Sequence, residues 1–352
     1  MQEQGSLQML ARARLALFQT ICLPTMVVQT TQHFFWLIQV DPALDAAVLS
    51  ALLDLVSPYE NIYIVPSNVN FRINQDFPGA WRDGAEIDSL QQHGVYNAHH
   101  CNMPYLYLSM ALESHLPILE TRLDADDGLQ RNFLHSIQQE ALQLFSESTS
   151  PTRWMYWCSR RHLEWHWSLH GNRVGRLEGI THDHLCVTPG LTTGFAAGIS
   201  EASVPVYPHH EAAKHLLGDS SCSSTGGPCL RWANDKAFAA VRSRTPTSAG
   251  MADVLLGDED IDDEEEHWVQ YIMWNAMHEM FGLERPQLAW MNDYLRKNLV
   301  AIAKDNLMGQ CTTGHSCKES AQADLERIIA MHSKLNATDR EEIDSQAGES
   351  AA

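Results

Sequence analysis

Positive charge is scarce in this chain: 24 Lys and Arg stand against 44 Asp and Glu among 352 residues, a formal net charge of −20. That balance excludes a broad nucleic-acid surface, because phosphate binding needs clustered cations. The 8 cysteines include no CxxC pair, which removes the common zinc-ribbon and thioredoxin signatures. There is no HExxH motif: five positions separate His210 from His215, and His278-Glu279 lacks a second His four residues on. Internal repeats are absent. So is a membrane-length apolar run. Residues 15–40 hold no Asp, Glu, Lys or Arg, but Pro24 and Gln29-Thr30-Thr31-Gln32 interrupt them. The stretch reads as an amphipathic helix followed by a strand, not as a membrane span or a signal peptide.

What is present is enough for a sizeable core, since 44% of the residues are hydrophobic and 19% charged. The acidity is uneven. Residues 251–352 hold 21 Asp and Glu and 8 Lys and Arg (net −13), whereas residues 1–250 hold 23 and 16 (net −7), so chemistry with anions belongs in the first 250 residues. Two cysteine pairs are close in sequence, Cys222 with Cys229 and Cys311 with Cys317, and Asn336-Ala-Thr338 is a glycosylation sequon. Short disulfide loops in a secretory lumen would explain them; so would free thiols and a chance sequon.

The apolar spacing of Leu15, Phe18, Cys22 and Met26 predicts a helix over 11–28, with Pro24 expected to kink or end it. A buried parallel strand is expected at 33–40, a helix through Leu44, Val48, Leu52 and Leu55, and a second strand at 61–65. That alternation is the rhythm of a doubly wound α/β sheet. A long polar loop covers 66–100, a helix 105–116 and a strand 117–123. The next helix has Leu129, Phe133, Ile137 and Ala141 on its face.

The strongest chemical signal is Thr121-Arg-Leu-Asp-Ala-Asp-Asp-Gly128, where a strand's C-terminal end meets a helix N-terminus. In open α/β sheets, ligands bind at that edge. Paired aspartates suit a hard divalent cation that can be shared with substrate phosphates. An N-cap would use one aspartate and leave the others unexplained. An EF-hand fails on spacing, because Gly128 comes one residue early and the twelfth position from Asp124 is His135.

The segments Arg14–Trp36, with its LPT…QTTQHFFWL run, Asp41-Pro42, ETRLDADDGLQRNF, Cys186–Thr192 and Arg244–Met251 resemble the putative rhamnosyltransferase family. That family is related to family 2 glycosyltransferases of the GT-A fold. The resemblance spans about 11–251. It implies an α/β, GT-A-like, mostly parallel sheet flanked by helices. The implied activity is sugar transfer, with rhamnose in the family's name, from a nucleoside-diphosphate donor to a glycan or other hydroxyl acceptor. Mn²⁺ or Mg²⁺ would be held by Asp124, Asp126 and Asp127, with His209 or His210 as a late third ligand. The fold's usual first strand is expected to be missing, because only Met1–Met9 precede the first helix. A catalytically degenerate GT-A-like module, binding glycans or serving as a partner subunit, is the alternative.

Arg122, Arg160, Arg161, Arg242 and Arg244 are candidates to receive the diphosphate. Trp165, in an aromatic-rich stretch, is a candidate sugar platform, although Leu163, Trp165 and Trp167 also alternate as a half-buried strand would. Asp183, Glu201 and Glu211 are the candidate bases, among which spacing does not choose. Gly190, Gly194 and Gly198 suit tight turns or close backbone approach. Beyond the 11–251 domain come an acidic linker at 252–266, a helical segment at 267–336 and a disordered tail at 337–352. The chain is expected in the secretory pathway (Golgi lumen) if a targeting segment is missing, and in the cytoplasm otherwise.

Overall fold

The computed structural model describes residues 7–66, 96–99, 116–145, 151–169, 174–197, 199, 204–233, 236–248, 264–310 and 317–333. Nearly all of the predicted helix at 105–116, Glu201, Gly198, most of the 66–100 loop, most of the acidic linker and the tail lie outside them.

The N-terminal helix is one continuous rod in three parts. These are α1 (Gln8–Leu17), a π-helical segment (Phe18–Cys22) and α2 (Leu23–Val27). Pro24 does not end it. Proline is tolerated at the first turn of a helix, and here it occupies the start of α2, just after the wider π turn. Strand β1 (Trp36–Val40) pairs in parallel with β2 (Ile62–Pro66) across α3 (Ala46–Val56). Asp45 caps α3 by accepting from the Ala47 and Val48 amides at 3.0 and 3.2 Å. Val48, Leu52 and Val56 bury its inner stripe.

The sheet is not the single, mostly parallel one expected. Among the described residues three small sheets form, and the two larger ones are mixed. One runs β4 (Gly128–Leu129), β10 (Ala240–Arg244), β6 (Arg161–His166), β7 (Arg176–Thr181), of which only β10 and β6 are parallel. The other runs β3 (Ile118–Thr121), β8 (Thr192–Phe195), β5 (Trp154–Ser159), β9 (Leu230–Ala233), where only β5 and β9 are parallel. The short connection between β6 and β7 is antiparallel by necessity, because a parallel return needs a crossover of a dozen residues or more.

α4 (Phe133–Phe145) buries Phe133, Ile137, Ala141 and Phe145, four residues apart, against the β3–β8–β5–β9 sheet, with α5 (His209–Leu216) in the same cluster. Leu129, expected in that helix, belongs to β4 instead. The other mixed sheet turns Leu163, Trp165, Leu177 and Val241 toward a core completed by α1, α6 (Glu264–Phe281) and α7 (Arg285–Gln310). The last helix, at 317–333, adds Leu325 and Ile328. The C-terminal helices thus share one core with the N-terminal helix. Among the described residues, no helix is long and apolar enough to cross a membrane.

Disulfides join Cys222 to Cys229, as the short-loop reading expected, and Cys158 to Cys186, which spacing did not suggest. Cys317 is also disulfide-bonded.

Candidate functional site

Residues 122–127 carry the chain from β3 in one mixed sheet to β4 in the other, and the three aspartates lie on this crossing. The crossing is held on all sides. Arg122 continues the β3–β8 pairing by donating its amide to Leu191 O and accepting from the Gly190 amide, each at 2.9 Å. The Asp127 amide donates to Asp124 O at 3.1 Å and closes the turn. Below it, the Cys22 thiol donates to Asp124 O at 3.6 Å, and the Thr25 hydroxyl accepts from the Leu129 amide at 3.3 Å. The N-terminal rod is therefore the floor of the Asp turn.

The three carboxylates differ in setting. Asp127 is 4% exposed and accepts from the Ser243 amide at 2.9 Å, so it ties the turn to β10. Asp126 is half-buried and accepts from the Ser243 hydroxyl at 3.2 Å; Asp124 is exposed and bonded by the Thr188 side chain. Loss of hydration, complete only at Asp127, raises all three pKa values, and for Asp124 and Asp127 the neighbouring carboxylates raise them further. Arg14 works against this at Asp124 and Asp126, and Arg242 at all three. Burial, then the same carboxylates, push the Cys22 thiol up and keep it a donor. Among the described residues, no three His, Cys, Asp or Glu side chains converge as a metal-ligand set.

Beside the turn lies the polar face of the β4–β10–β6–β7 sheet. Alternation along β6 puts His162, Glu164 and His166 on that face, and the parallel register sets Arg242 opposite Glu164 and Arg244 opposite His166. Glu164, 6% exposed, accepts from Arg242 Nη1 at 3.2 Å and from Arg244 Nε at 3.0 Å, and its Oε1 is 3.2 Å from His162 Nε2. Its burial would raise the carboxyl pKa, but bonds from His162 and Arg244, and the charges of Arg244 and Arg242, bring it to about 2. His182 stacks on His162 at 5.2 Å, and burial holds its pKa low.

The sequence candidates divide. Asp124, Asp126 and Asp127 lie within reach of the Arg242 charge, which with that of Arg122 also reaches His209. Burial first, then His210, Arg242 and Arg122, lower the pKa of His209, so its neighbours are cations rather than the carboxylates it was expected to join around a metal. His210 is exposed and packs edge-on against His209. Arg244 reaches the sheet face but is locked on Glu164. Arg160 is spent in a two-point ion pair with Asp183, which lowers the exposed Asp183 carboxyl. Arg161 lies over the Phe238 ring at 5.0 Å. Glu211 is exposed in the first turn of α5, 4.0 Å from His215. Trp165 is not a platform: it is fully buried, and its indole N–H donates to Val174 O at 2.9 Å. Gly190 has φ +82° and Gly194 faces Leu119 and Trp157, close approaches that pack the sheet.

Sequence reasoning missed Glu164, Ser243, Thr188 and Arg14. For Glu164 the signal was there: it is the lone acid in a basic stretch, in phase with His162 and His166 at a strand's period of two. The others are reached only through pairing with distant segments.

Residues 8–77 match the family model described as "Putative rhamnosyl transferase". The match takes in Arg14, Cys22 and Thr25, the residues beneath the Asp turn. No curated protein and no solved structure matches the chain.

Proposed function

We propose that this chain is a glycosyltransferase that moves a sugar, rhamnose being the one its matched family names, from a nucleoside-diphosphate donor to an acceptor hydroxyl. One observation carries the reading: the family-matched N-terminal rod is the floor of the Asp turn, which supports taking the matched segment and the carboxylates together as one site. A GT-A relation is part of the proposal.

Asp124 and Asp126 fit a divalent cation such as Mn²⁺ or Mg²⁺. Such ions take one or two carboxylates plus substrate phosphates. The crowding of these acids is itself a demand for positive charge. When bound, the cation would neutralise the diphosphate of the donor. Asp127, committed to Ser243, holds the turn rather than the ion. Arg242 and Arg122 face the place where the phosphates would lie. The acceptor oxygen attacks the sugar's anomeric carbon as the bond to the diphosphate breaks, and its proton goes to a base. Asp183 is poorly suited to that role because Arg160 holds its charge. Glu211 and Glu201 remain the candidates, together with His209, whose pKa burial lowers.

A screen of UDP-, GDP- and dTDP-sugars with Mn²⁺ or Mg²⁺, comparing the native chain with Asp126→Ala, tests the proposal. Release of nucleoside diphosphate by the native chain and its loss by at least about a hundredfold in the variant are expected. Equal rates would remove the metal assignment.

A second reading, a GT-A-like module that binds glycans or a partner without transfer, is favoured by the locking of Arg244 and Arg160 on Glu164 and Asp183 and by the burial of Trp165. Glycan binding without turnover of any donor would establish it instead.

A further inference from the structure

We infer that Glu164 is a positioning residue, a buried carboxylate that holds Arg242 beside the Asp turn for the phosphates of an anionic ligand and uses Arg244 as its anchor. This rests on the proposed nucleoside-diphosphate site. Glu164 engages Arg244 at two points, Nε to Oε2 and Nη2 to Oε1, each at 3.0 Å, but Arg242 only through Nη1 at 3.2 Å. The two-point fork fixes Arg244, while Arg242 retains donors that Glu164 does not use. The two are not interchangeable: Arg242 is the one whose charge reaches Asp124, Asp126, Asp127 and His209. One carboxylate between two guanidinium groups balances one of their two charges, and the other lies on the side where the aspartates gather. Without Glu164, two arginines would stand side by side on one face of β10 and swing apart into solvent. The strand register makes Glu164 their meeting point, because Arg242 is its direct partner and Arg244 lies two residues further along β10 on the same face.

The test is calorimetric binding of UDP, GDP and dTDP with Mn²⁺, and of the corresponding nucleosides, to the native chain, Glu164→Gln and Glu164→Asp, alongside their melting curves. The native chain is expected to bind one of the diphosphates more tightly than its nucleoside. Glu164→Gln should weaken the diphosphate roughly tenfold to a hundredfold while leaving the nucleoside within about twofold, and Glu164→Asp should recover part of the loss. A merely structural carboxylate would lower the melting temperature and leave the diphosphate-to-nucleoside ratio unchanged; that result overturns the inference alone. If the native chain binds none of the three diphosphates, the proposed function fails and the inference with it. Should Glu164→Gln not fold, Arg244→Lys, which cannot form the fork, is expected to show the same selective loss, and undiminished diphosphate binding there overturns the anchor.

Discussion

Gly128 stands where β4 crosses α2, and a methyl group added there would lie 2.6 Å from Thr25 Cγ2 and 2.9 Å from Val241 Cγ1. Neither neighbour can yield easily, since Thr25 is bonded to Cys22 O and Val241 is in the core. Gly128→Ala is expected to cost about 1–3 kcal/mol in urea unfolding, and an unchanged midpoint would show that the rod is not seated on β4. Glu164 makes a prediction about acid. Its folded pKa of about 2 lies below the free value of 4.5, so its pairing stabilises the fold at higher pH and is lost as pH falls through that interval. The stability difference between the native chain and Glu164→Gln should be constant above about pH 5 and shrink toward zero near pH 2. A difference that ignores pH would mean the ion pairs contribute nothing.

At the scale of elements, the site depends on what clamps its strand ends. Two buried asparagines on α7 do this. Asn292 accepts from the Ser168 amide at 2.7 Å and donates to Ser168 O at 3.0 Å just beyond β6, while Asn306 donates to Pro246 O and Ser248 O just beyond β10. The strands that carry Glu164 and Arg242 are thus held in register from behind. The Cys158–Cys186 disulfide does the same for the loop leading to β8, whose Gly190 and Leu191 frame Arg122. Closing a loop of 28 residues restrains the unfolded chain, so replacing both cysteines by alanine should cost about 2–4 kcal/mol in chemical denaturation. A loss well under 1 kcal/mol would indicate that hydrogen bonds alone fix the loop.

For the whole molecule, the decisive feature is the core that joins the two ends of the chain. Leu10, Ala13 and Leu17 of the first helix, and Leu163, Trp165 and Val241 of the sheet, are covered by Phe281, Leu288, Met291, Leu295, Leu299 and Ile302. A chain ended at residue 251 would expose that surface, and burial of such area is the main force holding a fold together. It is expected to bind hydrophobic dyes and melt without a cooperative transition, whereas a sharp melt would show that the C-terminal helices are an appendage.

Much was legible from the chain itself because it depends on near neighbours. Periods of four and two marked α3, α4 and the β6 strand, and turn chemistry after an apolar run located the Asp turn. The close Cys222 and Cys229 were a possible pair by spacing alone. Tertiary structure decided what distant segments settle between them. It made the sheets mixed, since an apolar run reads the same whichever way its partner runs. It buried Trp165, because only packing distinguishes a core indole from an exposed one. It also brought Glu164 to Arg242, about eighty residues further along, through a strand register that no local pattern encodes.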